Sequence, residues 1–355
     1  MALPFFDGAR KKQDQMLAVD LGSRITKAVH LQRRGDGFVL CRYAFMDAPI
    51  FDKVLSADLL KEHLTALSKG FESKVKAMTL TVGVNDAIVR HVDMPQMPPE
   101  DMRAVLKHNS RVYLQQDLTG YVFDCCSPTE THAHPKAADA AKGGAKQKVL
   151  IVGAKKQLVD DFSAATKNAG FIPDHIVPGV IGPVNAFEQS MPQVFASEVV
   201  ALVDIGFKSS SISILQEGAL VLNRVVGIGG DRLTAGLAES MNISYAEAEG
   251  IKVGMPQEVQ NVLESLITPL GRELRASIDF FEHQQDRTVS QVYLSGGSAR
   301  SEFVVQMMRQ ELMVECKTWN PASALKSALP PEQASEIEQI GPQLTVAIGA
   351  ALTAL

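Results

Sequence analysis

The chain of 355 residues has few cysteines, no long apolar run and no excess of basic residues. Its cysteines show no CxxC spacing, which disfavours a metal site or a disulfide framework. No stretch reaches the roughly 18 to 20 apolar residues of a membrane-spanning helix. A net charge of −5 argues against non-specific nucleic-acid binding, because no basic field would attract phosphates. With no recognisable signal peptide, we expect a cytosolic protein with reduced thiols and small-molecule or protein partners, and no nucleic acid.

The first recognisable element is an apolar strand that carries an aspartate near its end. The stretch AVDLGSRITKAVHL, residues 18–31, places Asp20 before Gly22 and Ser23, and then Lys27. Glycine lets backbone N–H groups approach a phosphate, serine adds a donor, and lysine adds positive charge. The aspartate can hold Mg²⁺ directly or through water. One such turn is weak evidence, since short motifs of this kind are common at strand ends.

The same pattern returns in residues 199–230, VVALVDIGFKSSSISILQEGALVLNRVVGIGG. Its aspartate and glycine, Asp204 and Gly206, match those of the first copy, and a cluster of hydroxyls follows: Ser209, Ser210 and Ser211. An internal repeat predicts two similar halves. Two such turns facing each other across a cleft can hold a triphosphate from both sides.

A third glycine turn follows another apolar strand. In VYLSGGSAR, residues 292–300, the strand ends at Gly296, Gly297 and Ser298 and leads into an amphipathic helix. Glycines here allow an adenine ring and its ribose to pass close to the backbone. Taken alone, the segment is equally typical of an ordinary strand-to-helix turn.

These ordered motifs resemble the actin-like ATPase superfamily, and more closely the PilM-like type IV pilus assembly proteins, with FtsA a more distant relative. VDLGSRITKAV is similar to the first phosphate motif, VDIGFKSSSISIL to the second, and LSGGSAR to the adenosine motif. The resemblance extends over residues 16–355. It implies an α/β, actin-like two-lobed fold of duplicated ribonuclease-H-like domains, with an extra subdomain inserted in the first lobe.

The resemblance also implies a division of the chain. After a flexible tail at 1–15, the first-lobe base comprises 16–86 and 173–198, and a C-terminal helix at 341–355 returns to it. The inserted subdomain is 87–172, with a flexible loop at 127–147. The second lobe comprises a base at 199–229 and 270–340 and a cap at 230–269.

The implied ligand is ATP or ADP with Mg²⁺. The candidate binding residues are Asp20, Gly22, Ser23, Lys27, Asp204, Gly206, Lys208, Ser209, Ser210, Gly229, Gly230, Asp231, Glu249, Lys252, Gly296, Gly297 and Ser298. Among them, Asp20 and Asp204 would hold the metal, directly or through water. Glu249 and Lys252 lie on a segment, AEAEGIKVG, that resembles the family's adenosine-contacting helix, although charged residues on a solvated helix face would read the same way.

The second phosphate motif departs from the pattern of active relatives. Phe207 and Lys208 stand where flexible glycines are usual, and Ser211 stands where a carboxylate would help to position metal or water. Residues 174–187 offer no obvious group to activate water, and catalysis needs such a group within hydrogen-bond reach of the attacking oxygen. We therefore expect nucleotide binding with slow hydrolysis at best, and the catalytic residues stay unassigned.

The resemblance implies a scaffold of a type IV pilus, or of a related type II secretion platform, peripheral to the cytoplasmic face of the inner membrane. It would bind the N-terminal tail of a PilN-like membrane protein in a groove between the inserted subdomain and the first-lobe base. The candidate surface is 90–114, whose apolar residues could instead fill the subdomain's own core: Met94, Met97, Met102, Val105 and Leu106. Other platform proteins and a homo-oligomer are further implied partners.

Two alternatives remain open. An FtsA-like division protein would be expected to carry an amphipathic membrane helix after a linker, whereas this sequence ends in ALTAL. A small-molecule kinase of the same superfamily would need a substrate-binding aspartate in the cleft and usually a longer chain.

Overall fold

A computed structural model describes residues 13–51, 54–71, 74–127 and 146–355. Most of the predicted tail, 1–12, and most of the predicted flexible loop, 128–145, lie outside these ranges. The strands are β1 (Gln15–Leu21), β2 (Ile25–Arg34), β3 (Gly37–Asp47), β4 (Ala77–Val82), β5 (Ala87–Pro95), β6 (Tyr121–Cys126), β7 (Lys146–Lys155), β8 (Ile172–Pro178), β9 (Val199–Ile205), β10 (Ser210–Gln216), β11 (Ala219–Val226), β12 (Gln291–Ser295), β13 (Cys316–Thr318) and β14 (Lys326–Ser327). The α-helices are α1 (Ala57–Phe71), α2 (Pro99–Leu114), α3 (Lys156–Asn168), α4 (Ile181–Ser190), α5 (Pro192–Ser197), α6 (Gly230–Met241), α7 (Tyr245–Gly254), α8 (Gln260–Gln285), α9 (Glu302–Leu312), α10 (Pro331–Ile340) and α11 (Thr345–Ala354).

The first large sheet has the strand order β14-β3-β2-β1-β4-β8. Strands β1, β2 and β3 form an antiparallel meander, and β4 lies parallel to β1 on its other side. Five consecutive residues of β1 are buried, which is typical of a strand covered on both faces. Helices α1 and α3 pack together, and α11 packs on α4 and β1.

The second large sheet repeats this arrangement in the order β11-β10-β9-β12-β13. Here β9, β10 and β11 form the antiparallel meander, and β12 lies parallel to β9. The long helix α8 packs on α6 and α9 and presents a continuous buried face from Leu263 to Phe281. The repeat inferred from the sequence is therefore visible as two meanders, each extended by a parallel fourth strand.

The segment that separates the two parts of the first-lobe base in the sequence forms a third, three-stranded sheet with the order β5-β7-β6. This sheet has its own core with α2. That core contains Met94, Met102 and Leu106, all fully buried. These three residues therefore fill the interior of the inserted unit and are not part of its surface. Met97 and Val105 pack against this core and remain partly accessible.

Three details differ from the boundaries expected from the sequence. Strand β14 pairs with β3 in the first sheet, although 270–340 is assigned to the second lobe, because two residues are too short a pattern to recognise. Helix α3 buries Val159 and Phe162 in the core of the first sheet, although it was placed in the inserted subdomain. The expected end of the cap at Pro269 falls inside α8, whose apolar face continues past the proline.

None of the helices within the described ranges combines the length and apolar character required to cross a membrane.

Candidate functional site

The end of β1 carries a carboxylate that is neutralised from the neighbouring strand. Asp20 lies opposite Lys27 in the antiparallel register, and Lys27 Nζ donates to Asp20 Oδ2 over 2.8 Å. Both side chains are mostly buried, with exposed fractions of 12% and 17%. Thr81, on the parallel neighbour β4, donates its hydroxyl to Asp20 Oδ1 at 3.1 Å. The first turn therefore starts from an aspartate held on both oxygens.

The end of β9 has the same geometry with different chemistry. Asp204 lies opposite Ser211 in the register, so a serine takes the position that Lys27 occupies in the first copy. Ser295, on the parallel neighbour β12, donates to Asp204 Oδ2 at 3.1 Å. The hydroxyl donor on the fourth strand is thus duplicated, and the lysine is not.

Lys27 links the two aspartates electrostatically. Burial raises the pKa of Asp204, the positive charge of Lys27 opposes this, and the negative charge of Asp20 adds to it. Burial lowers the pKa of Lys27. The charges of Asp20 and Asp204 and the hydrogen bond to Asp20 raise the same pKa by more, so its net shift is upward. The three groups form one charge cluster in which a single ammonium serves two carboxylates.

Both turns are too tight for a side chain at their glycine. A Cβ on Gly22 would collide with the carbonyl oxygen of Ile25, and one on Gly206 would lie 2.7 Å from the carbonyl oxygen of Ser209. Gly206 donates its N–H to that same Ser209 carbonyl at 3.1 Å. The predicted requirement for glycine therefore has a direct steric cause in each copy.

The second turn is docked onto the N-terminus of α6. The N–H of Gly230 donates to the Gly206 carbonyl and that of Asp231 to the Phe207 carbonyl, each over 2.9 Å. A Cβ on Gly230 would lie 2.8 Å from Ser298 Oγ and 3.9 Å from Lys252 Nζ. The structure thus brings the second phosphate motif, the predicted adenosine motif and the cap helices together.

Glu249 is the centre of a charged network on α7. Its Oε2 accepts from Thr234 Oγ1 and from Lys252 Nζ, and its Oε1 accepts from Arg24 Nη1 at 3.0 Å. Burial raises the pKa of Glu249, but the hydrogen bonds from Lys252 and Thr234 and the charges of Lys252 and Arg24 lower it overall. Glu249 thus links α7 to the first turn through Arg24, and both Glu249 and Lys252 are already bonded to protein partners.

The remaining predicted residues are less uniform. Ser23 is exposed in the first turn, and Asn85 Nδ2 approaches Ser209 Oγ at 3.5 Å across the cleft. Lys208 bonds Asp231 at 2.7 Å. The buried Ser210 hydroxyl donates to the Ile228 carbonyl at 2.7 Å, which commits this donor to the fold.

Gly229 and the third glycine turn lie beside the second turn. Gly229 caps α6, and a Cβ on it would collide with the Phe207 carbonyl. Gly296 has a φ of +91°, and a Cβ there would lie 2.6 Å from the Ile205 carbonyl oxygen, whereas the nearest atom to a Cβ on Gly297 would be Gln343 Oε1 at 3.9 Å. The conformation of Gly296 explains the glycine at the end of β12.

Thr81 and Ser295 are the site residues that the motif reading missed. Each lies at the C-terminal end of an apolar strand: Thr81 in the LTV that ends β4, and Ser295 in the LS that ends β12. Extending the repeat from three strands to four aligns these two hydroxyls. That signal was present in the sequence.

Asp20 and Asp204 are the two carboxylates of the cluster that could hold a magnesium ion. The described part of the chain contains no group of three or more His, Cys, Asp or Glu side chains that could hold a metal. Asp20 and Asp204 supply two carboxylates. Mg²⁺ usually keeps several waters and binds through one or two carboxylates together with substrate phosphates, so this pair suits an ion that arrives with a nucleotide.

Comparisons with known proteins give a family match and similar solved folds. The chain matches the family described as "Type IV pilus assembly protein PilM" over residues 18–355. It is similar to the solved "PilM-PilN type IV pilus biogenesis complex", with 20% identity and a TM-score of 0.82 over 97% of this chain and 99% of that chain. EutJ, an ethanolamine utilization protein from Carboxydothermus hydrogenoformans, is similar at 15% identity and a TM-score of 0.56, over 99% of this chain and 92% of that one. MreB 5 of Spiroplasma citri bound to AMPPNP has 10% identity and a TM-score of 0.52, over 96% and 95% of the two chains. The actin-like fold expected from the sequence is confirmed.

Proposed function

The chain belongs to the PilM family of type IV pilus assembly proteins, and from this premise we propose that it is a nucleotide-dependent scaffold of the pilus assembly platform. It binds ATP or ADP with Mg²⁺ between the turns at 22–24 and 206–209. It docks the N-terminal tail of a PilN-like membrane protein, which holds it at the cytoplasmic face of the inner membrane. A related type II secretion platform, additional platform proteins and self-association belong to the same proposal.

The observation that carries nucleotide binding is the cluster of Asp20, Lys27 and Asp204 at the ends of the duplicated strands. Lys27 supplies positive charge at the first turn, and the exposed Ser23 of that turn offers a donor to phosphate oxygens. The likeness to MreB 5, which was solved with AMPPNP, supports the same ligand class. A magnesium ion bound with the nucleotide would neutralise phosphate charge beside the two carboxylates.

The expectation of slow hydrolysis is supported by the polar side chains of residues 174–187, all of which have protein partners. Asp174 and His175 bond each other at 2.8 Å, and the Asn185 amide donates to Thr353 Oγ1 at 2.7 Å in the packing of α4 against α11. Ser211 offers no carboxylate in the second turn. We therefore expect ATP turnover well below the median enzyme rate of about 10 per second, measured as phosphate release.

Calorimetry with Mg²⁺ and ATP tests the binding proposal. Gly22→Val should abolish the heat of binding, because the new side chain collides with the Ile25 carbonyl in the turn. Gly37→Val is the matched control, since a Cβ at Gly37 meets nothing within 4 Å. Absence of both heat and thermal shift in the unmodified protein would refute nucleotide binding.

The proposed tail-docking surface is the accessible side of 90–114. With Met94, Met102 and Leu106 in the core, α2 exposes two acidic residues in its first turn and three basic residues and one large apolar residue further along: Glu100, Asp101, Arg103, Lys107, Arg111 and Val112. A tail with acidic and apolar side chains matches the later part of this helix, where Arg103 and Arg111 now pair with Asp124 and Asp117. The likeness to the solved PilM-PilN complex supports a partner of this type.

Binding of a labelled N-terminal tail of the PilN-like protein tests the surface. The double variant Met97→Glu, Arg111→Glu should lose affinity for the tail. The control double variant Met313→Glu, Arg287→Glu changes an exposed methionine and an exposed arginine elsewhere. Equal affinity of both double variants would show that the docking site lies elsewhere. If the unmodified protein bound no such tail, the scaffold proposal would be refuted.

A further inference from the structure

Arg24 belongs to the first turn, between Ser23 and Ile25, but its side chain contacts the opposite half of the molecule. Its Nη1 donates to Glu249 Oε1 on α7 at 3.0 Å, and its guanidinium carbon lies 5.1 Å from the centre of the Phe207 ring in the second turn. One side chain therefore joins both phosphate turns and the cap across the cleft.

This contact occupies the carboxylate that was expected to bind adenosine. Glu249 Oε2 already accepts from Thr234 and Lys252, so the bond from Arg24 to Oε1 uses the second oxygen as well. A ribose hydroxyl that donates to Glu249 Oε1 would therefore compete with the charged Arg24 for this oxygen. The observed network is thus that of a cleft whose arginine and carboxylate satisfy each other.

The two ends of the interface between the lobes differ in strength. At the base, aromatic rings interlock: Phe187 of α4 lies 4.7 Å from Tyr293 of β12 and 5.3 Å from Trp319. At the cleft, the contacts are polar and partly exposed, with 42% of the Arg24 side chain accessible. Exposed ion pairs are weak in water, so an incoming anion of higher charge can replace a carboxylate there while the base stays packed.

We propose that Arg24 exchanges partners, binding Glu249 in the nucleotide-free protein and a phosphate group when a nucleotide is bound. The inference rests on the proposed nucleotide binding and adds a residue that the motif reading did not include. A guanidinium can donate two parallel N–H bonds to a phosphate. The backbone of Arg24 follows Gly22 and Ser23, so this side chain starts from the phosphate turn. Its departure leaves Glu249 Oε1 open to a ribose hydroxyl, so a nucleotide gains a contact at each end.

Calorimetry with ATP and with adenosine, on the full chain, tests the exchange. Arg24→Ala should weaken ATP binding about tenfold, the effect of losing one charge-assisted contact, and should not weaken adenosine binding, because Glu249 Oε1 then has no competing guanidinium. Arg24→Lys should lie in between, because it keeps the charge and loses the planar fork. Glu249→Gln, which keeps an acceptor for ribose and weakens the competing ion pair, should strengthen ATP binding.

Arg224→Ala is the matched control. Arg224 has a similar exposure and also pairs with a glutamate, Glu273, but this pair joins β11 to α8, which contribute no residue to the Arg24 network, so its loss should change neither affinity. In the nucleotide-free protein, Arg24→Ala should also speed amide exchange in α7, whereas Arg224→Ala should not.

The outcomes separate the two proposals. Binding of ATP by Arg24→Ala with unchanged affinity, or an equal loss for ATP and adenosine, would overturn the partner exchange and leave nucleotide binding intact. Failure of the unmodified protein to bind any nucleotide would overturn both.

Discussion

The two strand turns at the cleft share their backbone plan and differ in charge. In each, an aspartate near the strand end accepts from a hydroxyl on the parallel fourth strand, Thr81 for Asp20 and Ser295 for Asp204. Opposite the aspartate, the first turn has Lys27 and the second has Ser211. The repeat therefore duplicates the backbone geometry of the turn, whereas the positive charge comes from Lys27 alone and acts on both aspartates.

This difference makes the first turn the electrostatic support of the second. Lys27 forms its side-chain hydrogen bond with Asp20. Its positive charge nevertheless opposes the upward shift that burial gives to the pKa of Asp204. Changes at Lys27 should therefore affect both halves, and changes around Asp204 should stay local.

The largest effect is expected from Lys27→Met. Removing one partner of a mostly buried ion pair leaves Asp20 and Asp204 without their shared cation and should cost about 3–5 kcal/mol of unfolding free energy, measured by urea denaturation. Lys208→Met, which breaks a more exposed pair with Asp231, should cost under about 1 kcal/mol. Adding Asp20→Asn to Lys27→Met should recover part of the loss. Equal costs for the two lysines would show that the cluster is not the support described.

Gly296→Val should have the next largest effect. The matching position of the first half, after Thr81, is Val82, so valine is compatible with that strand end in one copy. In the second copy the φ of +91° and the Ile205 carbonyl at 2.6 Å exclude it, at a cost of about 3 kcal/mol. Gly297→Val, where a Cβ would have its nearest contact at 3.9 Å, should cost under about 1 kcal/mol in the same denaturation assay. A mild Gly296→Val variant would mean that the two strand ends are equivalent after all.

The two hydroxyls provide a finer comparison. Thr81→Val leaves Asp20 bonded to Lys27, so it should destabilise by about 1 kcal/mol. Ser295→Ala removes the side-chain donor that the described part of the chain gives Asp204, and should cost about 2 kcal/mol. Thermal unfolding of both variants measures the difference. The reverse order would contradict the assignment of the cation to the first half.

The smallest effect is a pH dependence at Asp204. Because its pKa is higher in the folded chain than its ordinary value, folding favours the protonated form. The associated stability is present at low pH and is lost as the pH rises through the folded pKa. Unfolding of the unmodified protein and of Asp204→Asn, compared between about pH 4 and pH 8, should therefore show the unmodified protein losing stability relative to the variant as the pH rises. A constant difference would count against this burial effect.

The sequence was most informative where chemistry and local pattern coincide. Asp20, Gly22 and Lys27 lie within one hairpin, so the turn could be predicted from neighbouring residues, and the repeat pointed to Asp204 and Gly206. The ion pair was not predicted: Lys27 was expected to face a phosphate, and the structure bonds it to Asp20. Contacts between distant segments could not be read in this way. Glu249 was a candidate from its segment alone, but nothing in the sequence singles out Arg24 or pairs it with Glu249, because that contact forms only where α7 lies beside the first turn.

Burial was the second limit. The methionines of 90–114 are apolar at every position, and one sequence cannot say which of them face a partner. The helical packing of α2 on its sheet decides that Met94 and Met102 are core and that the basic residues of α2 are accessible. Gly296 was recognised as a turn residue, but its requirement for a positive φ depends on how closely β9 approaches β12.

The most direct measurement of the central claim, that two unlike turns form one phosphate site, is a crystal structure of the protein with Mg²⁺ and a non-hydrolysable ATP analogue. The account predicts phosphates between residues 22–24 and 206–209, with the metal beside Asp20 and Asp204 and Lys27 remaining between the carboxylates. A cleft that stays empty at saturating analogue, or phosphates bound away from both turns, would contradict it.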